Sequence, residues 1–159
     1  MTAFVLLART ASGAPLETRD HEAVARAAEA LCLGAPTQGA AGLVAGRAPA
    51  GLLAAPGRIA RAFDAPPIHV APLDGRVLVA SSGRALLSTG LVPRSIDPSG
   101  IAGILWRGAP VAHRPPLAGT RGVPAGAALA WDPDHGWRLE AAAPAHELST
   151  PAEVRLRVL

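Results

Sequence analysis

The chain has 159 residues and a formal net charge of +3, a size that suits one domain with its own core. We predict that this domain spans residues 1–159. The chain contains 15 arginines, no lysine and no tyrosine, a bias typical of a GC-rich genome. This composition excludes lysine Schiff-base chemistry and a tyrosine acid.

The cysteine content and the apolar runs predict a cytoplasmic protein without a membrane partner. A single cysteine, Cys32, cannot form an internal disulfide or a cysteine-rich zinc site, and it suits a reducing compartment. The run MTAFVLLART lacks the basic n-region of a signal peptide, and its apolar stretch is too short because Arg9 interrupts it. No window approaches the ~18 apolar residues that a membrane-spanning helix needs.

In chain order, the first half of the sequence predicts one strand followed by two helices. The apolar run 3–8 has the length of a strand. Asp20 is a good N-cap for a helix over residues 20–33, in which apolar residues recur at intervals of three and four. A second helix is predicted over residues 52–63, with Pro56 in its first turn.

The clearest pattern covers residues 67–92, where turn residues separate three short apolar runs. Asp74-Gly75 favours a two-residue hairpin of type I′, and Ser81-Ser82-Gly83 suits a three-residue connection to a third run, 84–89. We predict an antiparallel meander over residues 67–92 at the centre of a sheet, with both helices packed on one face.

The second half of the chain predicts further strands. Residues 101–106 are strand-like, residues 127–141 form a second hairpin, and residues 153–159 form a final strand at a sheet edge. Two early helices and several short strands indicate an α+β fold that is mostly antiparallel.

The hairpin around WDPDHGW carries the densest group of functional side chains. If the rings of Trp131 and Trp137 face one side, they form a platform for a planar ligand, with Asp134 and His135 at its rim. Alternatively, the two rings anchor the hairpin to the core. The spacing of its acids and histidine does not predict a metal site.

The arginines are unevenly distributed. Residues 46–94 contain six of them against two acids, Asp64 and Asp74, so an anionic partner is indicated. A solvated arginine surface is the alternative. The candidate ligand-binding residues, chosen for a forked cation or for an aromatic ring beside one, are Arg58, Arg61, Arg107, Trp131, Trp137 and Arg138.

No motif for a metal, a nicotinamide cofactor or a catalytic serine is present, so we predict no cofactor. If the protein is an enzyme, its acid–base candidates are His69, His113, Asp134 and His135. That alternative requires a pocket that holds one of these histidines within reach of an acid.

Two short stretches resemble parts of known families. The sequence GRALLSTGL, residues 83–91, is similar to a strand of the trimeric dUTPases, and LLAAPGRIARAF, residues 52–63, resembles a segment of the alkyladenine-type DNA glycosylases. The uridine and phosphate motifs of the first family and the catalytic segment of the second have no counterpart here. Neither resemblance therefore implies a site residue.

These observations predict a small binding or accessory module that recognises an anionic or planar partner, either a nucleic acid or a nucleotide-like molecule. A partner protein could instead add to the edge strand 153–159. A cofactor-free hydrolase, lyase or isomerase is the alternative, and an oligomer is compatible with either function.

Overall fold

Two antiparallel sheets and a helical layer form the part of the chain that the computed structural model describes, residues 3–10, 15–39, 41–108 and 114–140. The predicted α+β class, mostly antiparallel, is confirmed. In chain order the elements are β1 (Phe4–Arg9), α1 (Thr18–Ala30), β2 (Thr37–Gln38), β3 (Gly42–Gly46), β4 (Leu52–Ala55), β5 (Arg58–Arg61), β6 (His69–Leu73), β7 (Arg76–Ala80), α2 (Gly83–Ser88), α3 (Pro98–Arg107), β8 (Arg121–Gly122), β9 (Ala128–Asp132) and β10 (Gly136–Glu140).

The larger sheet, sheet A, has six strands in the order β2-β3-β1-β7-β6-β8. Its central strand β1 pairs with β3 on one side and with β7 on the other. Side chains alternate along β1, so Val5 and Leu7 enter one core while Phe4 and Leu6 enter another. Sheet A is therefore buried on both faces.

The helical layer covers one face of sheet A. Helix α1 packs there through Val24, Ala27 and Ala28, which are buried at intervals of three and four. The prediction of Asp20 as N-cap is wrong: Glu17 is the N-cap, and Oδ2 of Asp20 accepts a hydrogen bond from the Glu17 backbone N–H at 2.7 Å.

Sheet B, with the strand order β10-β9-β5-β4, covers the opposite face of sheet A. Ile59, Leu129 and Trp137 from sheet B share a core with Phe4 and Val79 from sheet A. The three layers are therefore helices, sheet A and sheet B. The predicted hairpin over 127–141 is confirmed as β9 and β10, with Trp131 and Trp137 as direct cross-strand partners.

The predicted helix over residues 52–63 is wrong, because this stretch forms the hairpin β4–β5. Leu52 pairs with Arg61, and Ala55 pairs with Arg58. Pro56 and Gly57 occupy the turn, and Gly57 has a φ of 76°. Proline followed by a glycine with positive φ is typical of a type II turn, so Pro56 begins a turn and not a helix.

The predicted meander over 67–92 is correct for its first two strands only. Leu73 pairs with Arg76 across Asp74-Gly75, but only Gly75 has a positive φ, 64°, so the turn is not of type I′. The third run forms α2, because the Ser82 side chain accepts a hydrogen bond from the backbone N–H of Ala85 and caps a helix.

The predicted strand over residues 101–106 is wrong, because it lies inside α3. Asp97 caps this helix by accepting a hydrogen bond from the Ser99 backbone N–H at 2.8 Å, and Pro98 follows in the first turn. Gly108, with a φ of 70°, ends the helix. The predicted edge strand 153–159 lies outside the described residues.

Candidate functional site

The two tryptophans of the β9–β10 hairpin lie on the same side of sheet B but are packed edge to face. Their ring centroids are 5.5 Å apart, and the ring planes are inclined by 65°. Trp137 is buried, and its Nε1 donates a hydrogen bond to the backbone carbonyl of Arg76 at 2.9 Å. This geometry supports the anchoring interpretation, because the pair offers no flat platform.

The turn between these strands brings together three potential ligand groups for a cation. One donor atom each from Asp132, Asp134 and His135 lies within 4.8 Å of the others. Oδ1 of Asp132 accepts from the backbone N–H of both Asp134 and His135, and it lies 2.9 Å from His135 Nδ1. The contact with His135 lowers the pKa of Asp132. The hydrogen bonds of the turn itself account for this grouping.

Arg58 and Arg61 lie three positions apart on β5 and therefore project from opposite faces of the strand. The Nε and Nη2 atoms of Arg61 donate to the carbonyl of Ala65 at 3.1 and 2.8 Å, and Nη1 donates to that of Val123 at 2.8 Å. Arg58 is exposed and pairs with Glu140 at 3.2 Å. The two guanidinium groups do not form a shared ligand site.

The other two predicted arginines are exposed but lie on different elements. Arg107 ends α3, and Arg138 lies on β10 opposite Ala130. Among the described residues, neither forms an ion pair.

His69 is half-buried in β6, where its cross-strand neighbours are Ala80 and Gly122. Burial lowers the pKa of its imidazole. Within the described ranges, no acid forms a hydrogen bond or an ion pair with this ring. The second histidine candidate, His113, lies outside the described residues.

A cleft of about 380 Å³ opens where the edges of the two sheets meet, and we call it the inter-sheet cleft. Its apolar wall comes from both sheets and the connection between them: Val70, Val123, Leu129 and Leu139. Its polar side is formed by Asp97, Arg114, Thr120 and Arg121. The two arginines are exposed, and neither pairs with an acid in the described part of the chain.

A second, shallower cleft of about 440 Å³ lies beside α2, and we call it the basic cleft. It is lined by Arg84, Leu87, Ser88, Arg94, Ser95, Ile96 and Leu117. This cleft contains two of the six arginines from the basic region of the sequence.

The sequence analysis missed the inter-sheet cleft because its arginines, Arg114 and Arg121, lie outside the basic region 46–94. The available signal was weak: in the segment Thr120-Arg121-Gly122-Val123, which follows an irregular stretch, only Thr120 and Val123 are β-branched. In the structure, Arg121 pairs with Val70 at the edge of sheet A.

No helix in the described residues is long and apolar enough to cross a membrane. Comparisons with known proteins supply no further information on the site: no family model, no curated protein and no solved structure matches this chain.

Proposed function

We propose that this protein is a binding module for a small molecule that carries an anionic group on an apolar or planar body, bound in the inter-sheet cleft. The observation that supports the proposal is that an apolar wall and two arginines, Arg114 and Arg121, line the same cleft, against a single acid, Asp97. The proposal includes a cytoplasmic location, for which the support is the single cysteine of the sequence.

The cleft matches this class of ligand in size and in chemistry. Its volume of about 380 Å³ lies at the lower end of the ~300–1,000 Å³ typical of small-molecule sites. Guanidinium groups form paired hydrogen bonds with phosphates and carboxylates, and an aliphatic wall favours the ring or chain attached to them. A nucleoside monophosphate has both parts.

An extended nucleic-acid surface has weaker support, because several arginines of the basic region are already engaged. Arg76 contacts Asp20 and Glu17, Arg58 pairs with Glu140, and Arg61 donates to backbone carbonyls. The phosphate contacts of nucleic-acid binders need exposed cations aligned along one surface.

The enzyme alternative also lacks a supporting geometry in the described residues. His69 is half-buried without an acid partner, and the pair formed by His135 and Asp132 stands on an exposed turn. Neither arrangement holds a substrate against an acid–base pair.

The test is calorimetric titration of nucleoside monophosphates into the wild type and two paired variants. We expect Arg114→Ala with Arg121→Ala to weaken binding at least tenfold, because one charge-assisted hydrogen bond contributes ~1.5–3 kcal/mol and a tenfold change needs ~1.4 kcal/mol. Arg84→Ala with Arg94→Ala is the matched control, since it removes the same charge from the basic cleft.

Retained binding in the variant Arg114→Ala with Arg121→Ala would overturn the proposal. A loss confined to Arg84→Ala with Arg94→Ala would place the site in the basic cleft instead. A parallel titration with single- and double-stranded oligonucleotides separates the ligand classes. If oligonucleotides bind while mononucleotides do not, and affinity falls steeply with salt, the partner is a nucleic acid.

A further inference from the structure

The polar side of the inter-sheet cleft contains one acid, Asp97, together with the two arginines that we assign to anion binding. This acid is half-buried, and it forms no ion pair with Arg114 or Arg121. Opposite charges that line one cleft without pairing give it a cationic part and an anionic part. A ligand that is bound by the arginines therefore also meets a carboxylate.

The protein engages one of the two carboxylate oxygens of Asp97. Oδ1 accepts a hydrogen bond from the Ser99 backbone N–H at 2.8 Å and so caps α3. Within the described ranges, Oδ2 accepts no hydrogen bond and forms no ion pair. Because a carboxylate can only accept hydrogen bonds, this second oxygen favours a ligand that carries a donor.

Thr120 offers the cleft a second acceptor. Its Oγ1 donates the hydroxyl proton to the carbonyl of Leu117 at 2.6 Å, so the same oxygen can only accept further hydrogen bonds. Thr120 is half-buried and lines the cleft together with Asp97. Two acceptors in one cleft match a ligand that carries two neighbouring donors, as the two free hydroxyl groups of a ribose do.

We propose that the inter-sheet cleft selects ribonucleotides, with the phosphate at Arg114 and Arg121 and the ribose hydroxyls at Asp97 and Thr120. This inference rests on the binding function proposed above and names the ligand class for the same cleft. In dinucleotide-binding folds, a carboxylate accepts a hydrogen bond from a ribose hydroxyl in the same way. A dideoxy ligand, which lacks both hydroxyls, would leave both acceptors unpaired and therefore bind more weakly.

A comparison of two ligands in one variant tests the role of Asp97. Calorimetric titrations of adenosine monophosphate and its dideoxy analogue give the ratio of their affinities. We expect the wild type to prefer the ribonucleotide by about tenfold or more, because one charge-assisted hydrogen bond accounts for a factor of this size. In Asp97→Ser this preference should fall by about fivefold or more, since the charged acceptor is lost.

Serine is the replacement because it keeps the cap of α3. Its hydroxyl oxygen accepts from the backbone N–H groups at a helix start, and circular dichroism verifies that the helix content is unchanged. A general weakening of the cleft would affect both ligands equally and leave their ratio as it was. Asp74→Ser is the matched control, because it removes the same charge from the exposed β6–β7 turn, outside the cleft.

The outcomes separate this inference from the function on which it rests. Suppose that Arg114→Ala with Arg121→Ala weakens binding, but that Asp97→Ser keeps the wild-type ratio or the wild type shows no preference. The cleft then binds nucleotides without contacting the ribose through Asp97, and only this inference is overturned. If neither ligand binds to the wild type, the proposed function and this inference are both wrong.

Discussion

At the scale of single residues, Arg76 connects all three layers of the fold. Its guanidinium group contacts the buried carboxylate of Asp20 on α1, and its backbone carbonyl accepts the indole N–H of Trp137 on sheet B. The side chain of Asp20 also accepts from the backbone of Glu17. One residue of β7 therefore aligns the start of α1 with the outer sheet.

Arg61 was predicted to bind a ligand, but in the structure it has a structural role. We expect Arg61→Ala to lower the free energy of unfolding by about 2–3 kcal/mol, because the carbonyls of Ala65 and Val123 lose a charged donor. Arg58→Ala is the matched control and should cost less than ~1 kcal/mol, since it removes an exposed ion pair. Urea unfolding of both variants measures the difference, and equal losses would contradict this role.

Burial of His69 makes part of the stability depend on pH. Because burial lowers the pKa of this imidazole from its ordinary value of 6.5, the unfolded chain binds a proton more readily than the folded one. The stabilising contribution is therefore complete above pH 6.5 and is lost as the pH falls through the folded-state pKa.

His69→Gln removes this titration. We expect the unfolding free energy of the variant to fall less than that of the wild type between neutral pH and pH 5, in denaturant titrations at matched ionic strength. Parallel pH profiles for the two proteins would show that His69 contributes nothing to acid sensitivity.

At the scale of elements, the packing of α3 against Pro115 depends on the absence of a side chain at Gly100. Gly100→Ala should lower the free energy of unfolding by about 1–3 kcal/mol, because the added methyl group would overlap the Pro115 carbonyl oxygen. Gly83→Ala is the control, since a Cβ there meets nothing within 4 Å. Thermal unfolding compares the midpoints of the two variants. An unchanged midpoint for Gly100→Ala would show that the backbone at Pro115 moves to make room for the methyl group.

Local signals predicted the elements whose turn or cap chemistry was read together with their apolar pattern. The β9–β10 hairpin is an example, whereas helix α1 was predicted by its apolar spacing although its N-cap is Glu17 and not Asp20. The interpretation failed where an apolar run was read before its flanking residues: Pro56-Gly57 favours a turn over a helix, and Ser82 and Asp97-Pro98 favour helices over strands. Short apolar runs fit either structure, so the flanking residues decide between them.

At the scale of the whole molecule, the candidate site could not be predicted, because no single segment contains it. The inter-sheet cleft takes its walls from Val70, Leu129 and Leu139 and its cations from Arg114 and Arg121, which come from four strands and a connection. Only the packing of sheet B against sheet A brings these residues together. Local patterns led to the prediction of an arginine-rich surface within residues 46–94, a region that contains neither arginine of the cleft.

The central position of β1 has a consequence for synthesis of the chain on the ribosome. Val5 of β1 pairs with Ala45 of β3 on one side and with Ala80 of β7 on the other. The second partner strand, β7, therefore emerges about 70 residues after β1. At ~5–20 residues per second, translation leaves this apolar strand without both neighbours for several seconds. An unpaired strand with two open edges associates readily with other chains. The central strand of sheet A therefore cannot gain both of its neighbours until β7 has emerged.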